Sequence, residues 1–175
     1  MQSESLLSLL KYNGALLEGH FLLTSGKHSN LYIEKFRILE NPQSLNKVCQ
    51  TMSNLVIKKN IDIVIGAAIG GILIAGGIGR CLDKKHIFSE RINGKMELRR
   101  GFEIKKNERV LIVEDIVTTG GSIIELIDLV KQKLGSIVHI VSLVNRNASR
   151  IDFGFPSSSI LNLPTPFFSK ADNNI

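Results

Sequence analysis

The chain has 175 residues, 43% of them hydrophobic and 22% charged, and carries a formal net charge of +6. This length and composition predict one ordinary globular domain. The longest apolar stretch, residues 61–78, is interrupted by Asp62 and five glycines, which excludes a membrane-spanning helix. The first residues lack the basic start and the cleavage site of a signal peptide, so we expect a cytoplasmic protein with no membrane partner.

The positive charge suits either a nucleic acid or a small, highly anionic substrate. Lysines and arginines are scattered, with one concentration at residues 91–106 and no run interleaved with aromatics, so we expect no nucleic-acid partner. Cys49 and Cys81 match no metal-ligand spacing and are predicted to be two buried thiols. The four histidines are far apart in sequence, which offers no metal cage.

The first clear helix signal begins at Asn41 and Pro42, a capping residue followed by a first-turn proline. Apolar residues then recur at three- and four-residue steps, which predicts one buried helix face. The members of that face are Leu45, Val48, Met52, Leu55 and Val56.

Strands and helices alternate after this helix. Residues 61–68 (IDIVIGAA) form a short apolar run, typical of a strand buried on both faces. Residues 70–82 and 121–134 predict two helices, the second of which Gly135 is well placed to end. Further strands are predicted at residues 86–92, 109–115 and 137–144.

Such alternation predicts an α/β fold with a parallel sheet, whose ligands bind beyond the carboxyl ends of the strands. Three segments fall at that edge: residues 67–71, residues 114–122, and Asn145 with Arg146. We therefore expect the functional site there.

Residues 110–122 (VLIVEDIVTTGGS) read as an apolar strand, two acids, two apolar residues and a small-residue loop that opens a helix. Small residues let backbone amides approach an anion, and a helix N-terminus presents unpaired N–H groups to it. Glu114 and Asp115 suit hydroxyl groups or a divalent metal, because a carboxylate facing phosphate is repelled. A ribose 5-phosphate that carries a pyrophosphate meets both requirements. The alternative, an acid that merely caps a helix, explains neither the paired acids nor the TTGGS run.

Two other phosphate-binding motifs are excluded. No lysine stands where a Walker loop requires one, and the first strand turn, residues 66–71 (GAAIGG), lacks the dinucleotide fingerprint.

The motif resembles that of type I phosphoribosyltransferases, which bind phosphoribosyl pyrophosphate (PRPP). The resemblance implies their fold, a central, mostly parallel sheet flanked by helices with a small N-terminal hood. It implies one domain over residues 1–175, with the hood at 1–40, the α/β core at 41–150 and a tail at 151–175. It also implies that the acids bind the ribose hydroxyls and that residues 118–122 bind the 5-phosphate. The donor-binding residues in this motif are Glu114, Asp115, Ile116, Val117, Thr118, Thr119, Gly120, Gly121 and Ser122.

Two flanking segments narrow the resemblance to orotate phosphoribosyltransferases, in the shorter bacterial and archaeal branch. Residues 19–33 (GHFLLTSGKHSNLYI) and 91–104 (RINGKMELRRGFEI) carry it, within a likeness from about residue 14 to residue 146. It implies that Thr118, Arg146 and Tyr32 contact orotate. A planar acid suits a fixed cation and an aromatic wall. A solvated strand-end arginine and a core tyrosine are the alternatives.

Four cations surround a predicted hairpin turn at residues 93–94: Arg91, Lys95, Arg99 and Arg100. Taken alone, such a cluster is usually solvated. The resemblance implies a mobile loop that closes over the pyrophosphate and reaches a neighbouring subunit, hence a homodimer with shared sites. We expect Arg91 and Lys95, together with Asp115, to be catalytic and Arg99 to bind the donor, although the sequence does not distinguish which cations make contact.

The sequence departs from the longer bacterial branch at two positions. Thr24 and Gly70 stand where those relatives carry lysines, and Lys27 is a candidate to replace part of the charge. Residues 67–71, including Gly70, are then expected to bind pyrophosphate through backbone amides. Mg²⁺, held mainly by the substrate, is the implied cofactor.

The implied reaction joins phosphoribose to N1 of orotate in pyrimidine biosynthesis and requires no protein nucleophile. Asp115 is expected to orient the ribose rather than to act as a general base. The alternatives are a phosphoribosyltransferase for another base and a non-catalytic regulator that senses PRPP.

Overall fold

The computed structural model describes residues 3–22, 26, 28–147 and 151–164. Within these ranges the helices are α1 (Ser3–Tyr12), α2 (Phe36–Leu39), α3 (Pro42–Val56), α4 (Gly70–Leu82) and α5 (Gly121–Gln132). The strands are β1 (Leu16–Leu22), β2 (His28–Ile33), β3 (Ile63–Ala67), β4 (Lys85–Ile92), β5 (Lys95–Glu97), β6 (Arg109–Val117), β7 (Ser136–Asn145) and β8 (Ser157–Asn162).

Six strands form a central sheet in the order β5-β4-β3-β6-β7-β8, and β1 and β2 form a separate hairpin. All neighbours in the central sheet are parallel except β4 and β5. The predicted α/β fold with a mostly parallel sheet is therefore confirmed.

Both faces of the sheet are covered, which explains why β3 is apolar at every position. Val64 packs into a core cluster with residues of α1, α3 and α4, whereas Ile63 and Ile65 pack into a second cluster with residues of α5. Successive side chains of a strand point to opposite faces, so a strand covered on both sides buries all of them.

Helix α3 begins as the sequence predicts. The Asn41 side chain accepts a hydrogen bond from the backbone N–H of Ser44 at 2.9 Å, and Pro42 occupies the first turn. The predicted buried face is wrong at Leu55, which is 44% exposed. Cys49 is buried instead because it packs against α4, with its Sγ 3.8 Å from the carbonyl oxygen of Ile74, and Ser53 is buried as well.

The end of α5 differs from the prediction. Leu134 adopts the left-handed conformation, with φ of 60°, and donates its backbone N–H to the carbonyl of Lys131 at 2.9 Å. A Cβ atom on Gly135 would lie 2.8 Å from Ile104 and 2.9 Å from Val130. Gly135 is therefore needed for close packing after the helix, whereas Leu134 makes the turn.

The two ends of the described chain meet at the edge of the sheet. Leu6 and Leu10 of α1 are fully buried in the core, and α1 packs against β8. β8 pairs in parallel with β7, with Val141 opposite Ser158. The segment assigned to a tail from the sequence thus supplies the last strand of the sheet.

The two thiols have different environments. Cys49 is buried, and burial raises the pKa of its thiol to about 12. Cys81 is exposed, so the prediction of two buried thiols is wrong for this residue. Within the described ranges, none of the helices is both long and apolar enough to cross a membrane.

Candidate active site

The three segments expected at the carboxyl edge of the sheet do meet there. A Cβ atom on Gly70, at the start of α4, would overlap the carboxylate of Asp115 at the end of β6. The backbone N–H of Arg146, just after β7, donates to the carbonyl of Val117 at 2.8 Å. The turn after β3, the loop after β6 and the end of β7 therefore form one continuous site.

The acidic pair lies at the centre of this site and is buried, with Glu114 7% and Asp115 3% exposed. Each carboxylate accepts a hydrogen bond from a nearby backbone N–H, Glu114 from Asp115 at 2.9 Å and Asp115 from Ile116 at 2.6 Å. Burial, and then repulsion from Asp115, raise the pKa of the Glu114 carboxyl well above its usual range. The raised pKa favours the protonated form of Glu114 at neutral pH, so the negative charge of the pair lies mainly on Asp115.

Lys35 partly balances that charge. Its Nζ lies 2.6 Å from Oδ2 of Asp115, and its side chain is 30% exposed. Lys35 stands immediately before α2, in the connection between the hairpin β1-β2 and the core. Sequence reasoning missed this residue, because no periodicity or motif connects it to residues eighty positions later in the chain.

The loop after the acidic pair has the form expected of an anion site. Thr118 and Thr119 are exposed, Ser122 is half-buried, and Gly120 adopts φ of 78° as it opens α5. A small cavity of about 60 Å³ is lined by residues 114 and 116–123. The Asn147 side-chain amide donates to the carbonyl of Thr118, a contact from the segment after β7 to the loop that the sequence did not predict.

Arg146 joins the hood to the core. It is 5% exposed, and its Nη2 donates to the carbonyl of Leu31 at 3.1 Å and to Oγ of Ser29 at 3.3 Å. Burial lowers the pKa of its guanidinium, and the neighbouring Tyr32 partly opposes that shift. This burial excludes the alternative of a solvated strand-end arginine.

Tyr32 is half-buried in the same region. Its ring centroid lies 5.5 Å from that of Phe21 on the paired strand. The structure thus brings together Arg146 and Tyr32, the two residues expected to contact the acceptor base.

The predicted hairpin of cations is present, and its turn has φ of 48° at Asn93 and 82° at Gly94. Positive φ at both central residues is the geometry of a type I′ turn. Arg91 donates to Glu125 of α5 at 2.9 Å and to the carbonyl of Gly94 at 2.9 Å. Its partner is therefore α5 rather than the acidic pair.

The other cations of the hairpin region also lie on its surface. Arg100 pairs with Glu90 at 2.9 Å, while Lys95 and Arg99 are exposed. Two further positions lie outside the described residues. They are Thr24, which stands where the longer branch carries a lysine, and Lys27, the candidate to replace part of that charge.

The donor set suits a metal that the substrate helps to hold. Among the described residues, no group of three or more histidine, cysteine, aspartate or glutamate side chains could hold a metal ion. Mg²⁺ is often bound through one or two carboxylates, with substrate phosphates and water completing its shell. Glu114 and Asp115 supply two carboxylates, so these residues fit a metal brought in with a phosphorylated substrate.

Comparison with known proteins identifies the family. The model of the phosphoribosyl transferase domain matches residues 36–168. Orotate phosphoribosyltransferase from Thermotoga maritima is 41% identical over 164 residues, which cover 94% of this chain and 88% of that relative. The chain belongs to the orotate phosphoribosyltransferase family. The family match extends past residue 162 and so includes β8.

Solved structures agree on the fold. Orotate phosphoribosyltransferase from Aeropyrum pernix superposes with a TM-score of 0.76 at 27% identity, covering 90% of this chain and 93% of that chain. Adenine phosphoribosyltransferase from Thermoanaerobacter pseudethanolicus has a TM-score of 0.74 at 16% identity, covering 90% of this chain and 99% of that chain. Because the adenine enzyme shares the fold, the fold alone does not distinguish the acceptor base.

Proposed function

We propose that this chain transfers the 5-phosphoribosyl group from PRPP to N1 of orotate, forming orotidine 5′-monophosphate and pyrophosphate in pyrimidine biosynthesis. The observation that carries this proposal is one continuous site, in which a buried acidic pair leads into an anion-binding loop beside a buried arginine and a tyrosine of the hood. The 41% identity to an orotate phosphoribosyltransferase, over 94% of the chain, supports orotate as the acceptor.

The donor binds along the end of β6 and the start of α5. Asp115 and Glu114 accept hydrogen bonds from the ribose hydroxyls, which orients C1 toward the base. The hydroxyls of Thr118, Thr119 and Ser122, together with the amides at the start of α5, bind the 5-phosphate. A preformed helix terminus favours the anion because its first N–H groups have no partner within the helix.

The acceptor binds between the hood and the end of β7. Arg146 offers a fixed guanidinium to the carboxylate or a ring carbonyl of orotate, and Tyr32 covers the ring. The hydrogen bonds from Arg146 to Ser29 and Leu31 hold the guanidinium in place before the base arrives. Such preorganisation lowers the ordering cost of binding.

The chemistry requires little more than positioning and charge. The bond from C1 to the pyrophosphate oxygen breaks, and its electron pair leaves with pyrophosphate. N1 of orotate forms the new bond to C1 with the electron pair of its N–H bond, and that proton passes to solvent or to the released pyrophosphate. Bound Mg²⁺ would neutralise part of the charge on the leaving group. The chain orients C1 through Asp115 and supplies cations for the leaving group from the hairpin, with Arg91, Lys95 and Arg99 as candidates.

The hairpin serves the reaction by moving. Arg91 is held against Glu125 by an ion pair with side chains 45% and 36% exposed, and exposed pairs of this kind contribute only about 0–1 kcal/mol. Its release therefore requires little free energy. The hairpin then closes over the pyrophosphate in a site shared between two subunits of a homodimer, and Gly70 contributes its backbone amide to the same leaving group.

A turnover assay tests this proposal. The purified protein with Mg²⁺ and PRPP is expected to consume orotate, followed by its absorbance, and not adenine, hypoxanthine or uracil. Asp115→Asn is expected to raise the KM for PRPP by about 10- to 100-fold, the effect of losing a hydrogen bond to a charged group. Asp83→Asn is the matched control, because Asp83 is an exposed left-handed residue at the end of α4, a conformation that asparagine tolerates.

Three outcomes would contradict the proposal. Consumption of a purine or uracil but not of orotate would favour a phosphoribosyltransferase for another base. That activity is the second candidate function, because the adenine enzyme shares the fold. Unchanged PRPP kinetics in Asp115→Asn would remove the ribose-binding role. Binding of PRPP without turnover of any base would favour a regulator.

A further inference from the structure

We propose that Lys35 binds the pyrophosphate group of the donor. Until the donor arrives, Asp115 holds the Lys35 ammonium as its counter-ion. This inference rests on the proposed function and adds to the leaving-group site a cation from the connection between the β1-β2 hairpin and the core. It concerns a residue outside the hairpin and outside the phosphate loop.

Lys35 is placed where a ligand can reach it. Its Nζ contacts the buried carboxylate of Asp115, whose side chain is 5% exposed, while the lysine side chain itself is 30% exposed. A lysine ammonium has three N–H donors. Among the described residues, Asp115 is its ion-pair partner, and the ring centroid of Phe36 lies 5.6 Å from Nζ. Donors thus remain for an incoming anion.

Binding of ribose has to change this pair. Oδ1 of Asp115 accepts a hydrogen bond from the backbone N–H of Ile116, and Oδ2 forms the ion pair with the ammonium of Lys35. A ribose hydroxyl that donates to Asp115 shares or takes the position of the ammonium. Displacing a lysine from a carboxylate avoids the cost of an unpaired ammonium when another anion receives it.

The nearest place for such an anion is the turn before α4. A Cβ atom on Gly70 would overlap Oδ2 of Asp115 and would lie 3.4 Å from Cε of Lys35. The absence of a side chain at Gly70 therefore leaves the space that the ion pair occupies. Lys35 lies beside both the acidic pair and the N-terminus of α4, a thirteen-residue helix whose amides are proposed to bind pyrophosphate. The ammonium can pass from Asp115 to a phosphate oxygen by rotation of its own side chain.

The geometry distinguishes two roles for Lys35. If it only organises Asp115, its loss weakens every ligand that uses Asp115, including ribose 5-phosphate. If it binds pyrophosphate, its loss weakens ligands that carry pyrophosphate and leaves ribose 5-phosphate largely unaffected. The pyrophosphate group itself is thus the discriminating probe.

Calorimetric titration of the full chain in the presence of Mg²⁺ tests the proposal, with PRPP, inorganic pyrophosphate and ribose 5-phosphate as separate ligands. In Lys35→Met we expect the Kd for PRPP and for pyrophosphate to rise about 10- to 100-fold, as for loss of one charged hydrogen bond, and the Kd for ribose 5-phosphate to change little. Arg37→Met is the matched control. Arg37 is an exposed cation of the same short helix that pairs with Glu40, and its loss should change none of the three.

Equal weakening of PRPP and ribose 5-phosphate in Lys35→Met would overturn the proposal, and so would unchanged binding of pyrophosphate. Lys35→Gln repeats the test with a neutral polar side chain if the methionine variant does not fold, and Lys35→Arg is expected to restore most of the pyrophosphate affinity. Wild-type protein that binds no PRPP would overturn the proposed function as well. Wild-type protein that binds PRPP and converts orotate, with Lys35 variants that match it, would overturn the role of Lys35 alone.

Discussion

Gly70 and Asp115 lie so close together that a single methyl group on Gly70 would overlap the Asp115 carboxylate. Gly70→Ala is therefore expected to push Asp115 from its position and to raise the KM for PRPP at least about tenfold, with a loss of stability of about 1–3 kcal/mol from overpacking. Steady-state kinetics and thermal unfolding measure the two effects.

Gly76→Ala is the control for that substitution, because it lies in the same helix and its Cβ would be 3.9 Å from the His86 ring, an ordinary contact. It should leave the KM for PRPP unchanged. Normal PRPP kinetics in Gly70→Ala would show that the position of Asp115 is not needed for donor binding.

Arg146→Met is expected to raise the KM for orotate about 10- to 100-fold and the KM for PRPP much less, because it removes the charged donor proposed for the base. Arg146→Lys should recover only part of the loss, since an ammonium cannot reproduce the planar donor geometry of a guanidinium. Initial rates across both substrate concentrations separate the two constants.

Arg109→Met controls for the loss of an arginine from the sheet. Arg109 stands at the opposite end of β6 and pairs with Asp62 through three hydrogen bonds. Its substitution should lower the melting temperature and change neither KM. Equal increases of both constants in Arg146→Met would count against a specific orotate contact.

Glu114→Gln is expected to be more stable than the wild type in the substrate-free protein, by an amount that grows as the pH rises. Burial and the Asp115 charge raise the pKa of Glu114 in the folded state. The stability that this group contributes is therefore fully present below its unfolded pKa of about 4.3 and is lost as the pH rises toward the raised folded value. Glutamine resembles the protonated acid and has no such dependence.

The measurement is the difference in Tm between Glu114→Gln and wild type at several pH values between 4 and 9. A difference of 1 kcal/mol corresponds to about 2–4 °C in a domain of this size. The difference in Tm should be small at acid pH. As the pH rises, the Tm of the variant should exceed that of the wild type by a growing amount. Glu97→Gln, at an exposed position of β5, should give no such trend, and a flat profile for Glu114→Gln would contradict the burial argument.

Lys95→Ala and Asp115→Asn are expected to complement each other if the hairpin serves a neighbouring subunit. At a PRPP concentration near the wild-type KM, each variant alone should have little activity. Exchange of subunits in an equal mixture should restore about a quarter of the wild-type rate, because half of the dimers are mixed and each has one complete site. Activity is followed after mixing under conditions that allow exchange.

A mixture of Lys95→Ala with Lys95→Ala,Asp115→Asn provides the control, because no site in it is complete. Absence of recovery in the first mixture, with subunit exchange verified by mass, would place the hairpin over the site of its own subunit. A monomeric protein with full activity would exclude the shared site altogether.

The sequence by itself determined those parts of the protein that depend on neighbouring residues. The apolar runs of β3, β6 and β7 and the cap of α3 by Asn41 were predicted correctly, because strand burial and helix capping have local signatures. The acidic pair and the loop proposed to bind phosphate were predicted as candidates for the same reason, since one strand, one turn and one helix start carry them. The cations of the hairpin were predicted as a group.

Only the tertiary structure decided what depends on residues far apart in the chain. It placed Lys35 beside Asp115 and explained Gly70 by the space that this ion pair requires. It buried Arg146 under the hood and added β8 to the sheet. Each of these results comes from packing and charge between distant segments, where a carboxylate fixes the position of a lysine without leaving a pattern in the sequence around either residue.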